Sequence, residues 1–204
     1  MNESLGTKQR LIAAAKELFA RQGYDNTSVR EITHLAKANL GAVTYHFESK
    51  QNLYHQVLLS MAEPLFERLS AIPKGGGTPL DRIESFVRGY FDHMIENREL
   101  PALVMHEVSL NRPVPPPVRA AMERVFPMLI GIIKEGQQEG SIAPGDPALI
   151  ALSVVVLPVN VAIQRQLLHD VFGMDLEESD VRAQVIDHIV VFIRRGLANP
   201  GRNK

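Results

Sequence analysis

The chain has 204 residues, 45% hydrophobic and 22% charged, with a formal net charge of −1 and no cysteine. That balance describes an ordinary globular chain long enough to bury a sizeable core, and it excludes disulfides, thiolate nucleophiles and cysteine-ligated zinc. The opening MNESLGTKQR lacks the basic-then-apolar pattern of a secretion signal, and the apolar stretch over 150–163 is broken by Ser153, Pro158 and Asn160, so a cytoplasmic chain with no membrane partner is expected.

The periodicity predicts helix after helix. Leu11, Ile12, Ala15, Leu18 and Phe19 form one apolar stripe over 8–21. Gly23 suits the residue just past the helix end, and Tyr24 suits the hydrophobic contact that follows. Ser28 and Glu31 stand at capping-box spacing, opening a second helix that buries Val29, Ile32, Leu35 and Ala36. Lys37, Ala38 and Asn39 make a turn, with Asn39 as cap of a third helix over 40–46. Two short helices so joined form a helix-turn-helix unit. A fourth helix over 51–71 carries Leu53, Val57, Leu58, Met61, Leu65 and Leu69, with Pro64 expected to kink it. Residues 73–79, PKGGGTP, read as a flexible joint. Further helices are expected over 80–97, 101–110, 117–139, 147–172 and 177–197, with a rigid proline loop at 113–117.

The charge is mildly segregated. Residues 1–55 hold seven Lys/Arg against five Asp/Glu, leaving the remainder acidic, which suits a DNA-binding head on an acidic body. The segment Thr27 to Leu53, TSVREITHLAKANLGAVTYHFESKQNL, carries the functional argument. A recognition helix needs one face for the core and one for the groove. Val43 and Phe47, four residues apart, face inward, leaving Leu40, Ala42, Thr44 and Tyr45 toward DNA. These side chains touch thymine methyls or phosphates but include no bidentate base reader.

With Thr27, Ile32, Ala36, Gly41, His46, Phe47, Lys50 and Leu53 in place, the chain resembles the TetR family of bacterial regulators over about residues 8–55. It departs from the family pattern in having Lys37 where Gly is usual, Ala38 for Val, Asn39 for Ser and Thr44 for Tyr. Thr27, Ser28, Tyr45, His46 and Lys50 are assigned to phosphates, which hydroxyls, helix N-terminal amides and cations engage, and Lys37 is a further phosphate candidate. The resemblance implies that Arg30 reads guanine; the alternative is an arginine paired with Glu31 or Asp25.

The body offers fewer signals. Phe91, Met94, Met105, Met122 and Phe126 suit either an adaptable apolar pocket or ordinary core. Asn160 and Gln164, one turn apart, either orient a ligand or bond another helix or a second subunit. His93, His106, Glu96 and Glu107 match no metal-ligand spacing, and no nucleophile elbow or phosphate loop is present. No cofactor, no metal and no enzymatic activity are therefore expected.

The fold expected is all-α: an N-terminal three-helix helix-turn-helix domain, residues 1–50, and a larger helical ligand-binding and dimerisation domain, residues 51–200. The resemblance implies a transcriptional repressor that binds operator DNA as a homodimer through its last two helices and is released by a small apolar or amphipathic effector. Helix four, with Pro64, is the expected transmitter. The rival reading is a constitutive DNA-binding protein whose C-terminal domain binds a protein partner.

Overall fold

The computed structural model describes residues 6–72, 76–109 and 113–200, apart from the side chains of residues 106–109. Pro73, Lys74 and Gly75 of the expected joint, and the side chains of His106, Glu107 and Ser109, lie outside the described residues. The described elements are α1 (Thr7–Gln22), α2 (Val29–Leu35), α3 (Ala42–Phe47), α4 (Lys50–Ser70), α5 (Pro79–Glu96), α6 (Glu99–Ser109), α7 (Pro116–Gln138), α8 (Pro147–Ile163), α9 (Arg165–Phe172) and α10 (Ser179–Leu197). No strand occurs among the described residues, only an isolated bridge between Ile142 and Ala198.

The residues group by contact into two compact units. The first holds the chain to Pro64 together with Glu99–Ala121. Its core is built from Leu11, Ala15, Leu18 and Phe19 of α1, Ile32 of α2, Val43 and Phe47 of α3, and Leu53, Val57, Leu58 and Met61 of α4, all buried. Helix α6 packs on α1, and Lys16 Nζ meets Glu99 Oε2 at 3.2 Å. The first turns of α4 repeat apolar residues at three- and four-residue spacing, so they bury a stripe in the same core as α1 and α3.

The second unit holds Leu65–Arg98 and the chain from Met122. Helix α5 presents Ile83, Phe86, Val87, Phe91 and Met94, all buried, and packs against α8 and α10. Each fully buried side chain of this size contributes about 1.5–3 kcal/mol. Arg82 is nearly buried and pairs with Glu135 of α7 at 2.6 Å. The end of α10 and the residues just after it are tied down: Ala143 N–H donates to Leu197 O at 2.8 Å, and Asn199 N–H to Ser141 O at 3.0 Å.

One expected helix is two. The stretch over 147–172 breaks at Gln164, whose φ −87°, ψ 26° leaves the helical basin, and α8 and α9 are bent by 62°. Pro158 lies inside α8 and is buried without ending it. The break coincides with a tertiary contact instead: Arg165, the first residue of α9, bonds Glu177 at 2.9 Å. No single described helix is long and apolar enough to cross a membrane. Pro64 likewise sits inside α4, which continues to Ser70.

The start of α5 carries a cluster of polar bonds. Thr78 and Asp81 form a capping box, and Asp81 Oδ1 also accepts from Arg194 Nη1 of α10 at 2.7 Å. The Arg194 hydrogen bond, with those from Thr78, holds the Asp81 carboxyl at about 2, below its ordinary value of 3.8. A depressed carboxylate stabilises the fold above its unfolded pKa and loses that contribution as pH falls through the folded one. Asp81→Ala is therefore expected to lower stability by about 1 kcal/mol at neutral pH, as cap losses do. In urea titrations between about pH 4 and pH 2, the wild type should lose this margin and converge on the variant.

Candidate nucleic-acid interface

The capping box of α2 forms as its residues dictate. Ser28 Oγ accepts the Glu31 amide at 3.1 Å, and Glu31 Oε2 accepts the Ser28 amide at 2.7 Å. Hydrogen bonds from the Ser28 hydroxyl and amide, then from Gln22, hold the Glu31 carboxyl below its ordinary value. The Glu31 carboxylate is thus engaged locally, and Arg30 beside it is exposed. Leu35, expected inside, is 43% exposed, because the seven-residue α2 turns only Ile32 and Thr33 fully inward.

The turn after α2 takes a specific form. The Lys37 amide donates to His34 O at 3.1 Å and the Ala38 amide to Thr33 O at 2.9 Å. That pair of bonds is the Schellman arrangement, with Lys37 at the left-handed position usually given to Gly. Lys37 has φ 51°, so the departure from glycine leaves the turn left-handed and places a lysine in it. Asn39 is not the cap of α3. Its carbonyl accepts the Ala42 amide at 3.0 Å, and Gly41 is the capping residue, with no side-chain bond. Helix α3 therefore starts at Ala42 rather than Leu40.

Helix α3 divides by face. Val43 and Phe47 are buried as expected. Ala42 is buried too, 6% exposed, which removes its side chain from the expected DNA face: at the first turn it lies one residue from Val43 and shares its inward side. Leu40 is 55% and Tyr45 84% exposed. Thr44 is exposed and His46 half-buried, with the Tyr45 and His46 rings edge to face at 4.9 Å. Thr27 is a second correction. It is 1% exposed, and its hydroxyl donates to Gly23 O at 2.7 Å. Ser28, Lys37 and Asn39 are exposed.

Lys50 opens α4, and its ammonium lies 4.2 Å from the Tyr24 ring centroid, a cation–π contact that aims the charge. Tyr24 packs in turn on Phe19 and Tyr54, the hydrophobic contact expected after Gly23. Between α3 and Lys50 stands Glu48, with φ 68° and ψ −39°, and the Ser49 amide donates to Phe47 O at 2.8 Å. Lys37 and Glu48, the positive-φ non-glycine residues among those described, thus bracket the recognition helix. Sequence reasoning missed the Glu48 turn, His34 and Lys8. Arg30 and His34 stand one helical turn apart on α2 and both are exposed, a signal readable beforehand. Lys8, His46, Asn52 and His55 line a polar groove beside the end of α3.

The body's expected residues scatter. Phe91 and Met94 are buried in the α5 core, and Met122 and Phe126 on α7 are half-buried. Met105 on α6 is 38% exposed and belongs to the first unit. Asn160 donates to Val156 O at 2.9 Å, one turn back in its own helix. Gln164 is exposed at the α8–α9 break. Buried His93 lies with Nδ1 3.4 Å from Asn97 Nδ2. Among the described residues no group of three or more His, Asp or Glu could hold a metal ion. A separate surface is apolar: Leu149, Leu152 and Val156 of α8 are 65%, 48% and 43% exposed, and Phe192 of α10 is 64% exposed. Leu149 and Phe192 line one groove with Leu157 and Ile193.

Two family models match. Residues 11–57 match that of the bacterial regulatory proteins of the tetR family, and residues 79–193 match a tetracyclin repressor-like C-terminal domain. The chain belongs to the TetR family. Among curated relatives, the HTH-type transcriptional regulator QacR of Staphylococcus aureus is 37% identical over 54 residues, 26% of this chain and 29% of QacR. The HTH-type transcriptional repressor KstR2 of Mycolicibacterium smegmatis is 26% identical over 140 residues, 67% of this chain and 68% of that protein. The chain spans only about a third of some relatives, such as the 34% of Bacillus subtilis YuxN. Among solved structures, a tetR-family regulatory protein from Rhodococcus RHA1 superposes with TM-score 0.78 at 23% identity, covering 96% of this chain and 99% of that one. The ketosteroid transcriptional regulator KstR2 of Mycobacterium tuberculosis gives 0.75 at 18% identity, covering 96% and 97%. TetR family membership accounts for the all-α fold and the N-terminal helix-turn-helix.

The two faces of α3 differ in what they do for the fold. Tyr45→Ala should leave the melting temperature nearly unchanged, as exposed substitutions do within about 0.5 kcal/mol. Phe47→Ala should cost about 3–5 kcal/mol, read by chemical denaturation.

Proposed function

We propose that this TetR-family protein is a transcriptional repressor whose N-terminal part, residues 1–50, grips operator DNA as half of a homodimer. The observation that carries the reading is α3 itself. It backs Val43 and Phe47 into the core while Leu40, Thr44 and Tyr45 stand exposed between Lys37 and Lys50. In this reading Ser28, Lys37, Tyr45, His46 and Lys50 engage phosphates, which set register. Arg30 supplies the base-edge contact, and Leu40 touches thymine methyls. Residues 51–200 serve ligand binding and dimerisation in the cytoplasm.

Purified protein should select discrete genomic fragments, with affinity that falls steeply with salt because bound cations displace counterions. Lys50→Ala should weaken binding on all duplexes and lower the salt slope by about 1, whereas Arg30→Ala should relax base preference at one position. Salt-insensitive binding, or a Tyr45→Ala Lys50→Ala Arg30→Ala variant that binds as before, would overturn the reading.

The dimer is assigned to α8 and α10. Their exposed Leu149, Leu152, Val156 and Phe192 form an apolar surface of the kind soluble monomers seldom leave uncovered. A symmetric pair of heads is what two half-sites about 34–36 Å apart require. Phe192→Asp should shift sedimentation from dimer to monomer at micromolar protein and abolish operator binding. An unchanged dimer would remove α10 from the interface.

The effector is a small apolar or amphipathic molecule, supported by half-buried Met122 and Phe126 on α7. Its binding favours one separation of the heads, so effector and operator weaken each other equally.

A further inference from the structure

The family resemblance and the groove-facing residues leave Arg10 without a role, yet it reaches from α1 to the left-handed turn after α2. Its Nε donates to the Ala36 carbonyl at 3.1 Å, 26 residues away, and its Nη2 to Thr7 Oγ1 at 3.2 Å. Ala36 is the C-terminal capping residue of α2, directly before the left-handed Lys37. A carbonyl at a helix C-terminus carries partial negative charge, and a guanidinium is the side chain best matched to it. The bond is partly buried, where a charge-assisted hydrogen bond is worth more than on the open surface.

A left-handed lysine is disfavoured relative to glycine, because its Cβ crowds the backbone. Such a conformation persists only where its surroundings over-determine it. Here the surroundings are the two Schellman bonds and Arg10. The turn sets the path into α3, a helix of six residues that is too short to keep its own direction.

We propose that Arg10 is a positioning residue for DNA recognition. From α1 it clamps the Ala36 carbonyl, holds Lys37 left-handed, and so sets the entry of the recognition helix. The inference rests on the DNA-binding reading above, but its first measurement does not. Without DNA, Arg10→Ala should speed hydrogen exchange of the Ala38 amide, which bonds Thr33 O, by about tenfold while core amides of α1 and α4 exchange as before. The Arg10→Lys variant, which keeps charge without the planar fork, should fall between, and it serves if Arg10→Ala does not fold.

The second measurement uses a genomic duplex selected by the wild-type protein, with a random-sequence duplex of equal length as reference. Arg10→Ala should raise Kd on the selected duplex about tenfold and on the random one less than about twofold, with the salt slope unchanged. In the Lys37→Gly background, where the left-handed turn needs no clamp, Arg10→Ala should cost less than about threefold. An unchanged Ala38 exchange rate overturns the clamp. Equal loss on both duplexes with a salt slope smaller by about 1 makes Arg10 a phosphate contact instead. An equal Arg10→Ala penalty in both backgrounds removes the link to Lys37. If the wild type selects no duplex, the DNA-binding reading fails, and the exchange result still decides whether the clamp exists.

Discussion

The recognition helix cannot stand alone. It spans Ala42–Phe47, little more than one and a half turns, far below the length at which an isolated helix forms in water. Its existence and its aim both come from what it buries. Ala42, Val43 and Phe47 go into a core shared with Leu11 and Phe19 of α1 and Ile32 of α2. Every residue of that core is therefore also a constraint on where Tyr45 and Leu40 point.

The same dependence explains the strained backbone. Lys37 and Glu48 both hold positive φ, one on each side of α3, where a more relaxed chain would use glycine. Each is over-determined by nearby hydrogen bonds: the Ala38 amide to Thr33 before α3, the Ser49 amide to Phe47 after it. Lysine in the first turn and glutamate in the second place charges there as well as shape. Strain of this kind gathers at functional segments, where a fixed geometry matters more than the lowest local energy.

The second unit is organised by different means. Ion pairs join its helices in sequence-distant steps: Arg82 to Glu135, Arg88 to Asp187, and Arg194 to both Asp81 and Glu84. Most of these are well exposed, so each adds little by itself. Asp81 is the exception in kind, because one carboxylate caps α5 and pairs with α10. The backbone bonds between Leu197 and Ala143 and between Asn199 and Ser141 join the end of α10 to the α7–α8 loop, and α10 packs on α5 and α8. That packing buries Ile189, Val190 and Ile193 while leaving Phe192 outside, an arrangement with two apolar faces on one helix.

The sequence by itself determined the helical class, the Ser28–Glu31 cap, and the inward pair Val43 and Phe47, because each follows from local spacing and local hydrogen-bonding capacity. It also marked Arg30, Leu40, Tyr45 and Lys50 as surface residues of the head. Tertiary structure decided what local spacing leaves open. Thr27 carries a hydroxyl suited to a phosphate, but the fold seals it against the Gly23 carbonyl. Ala42 and Leu35 exchange their expected sides, since a helix this short has no periodicity to average over. The break at Gln164 has no breaker residue, and it coincides with the pairing of Arg165 with Glu177. The Arg10–Ala36 clamp links residues 26 apart, and no pattern in the chain foretells a bond that exists only once α1 and α2 have packed.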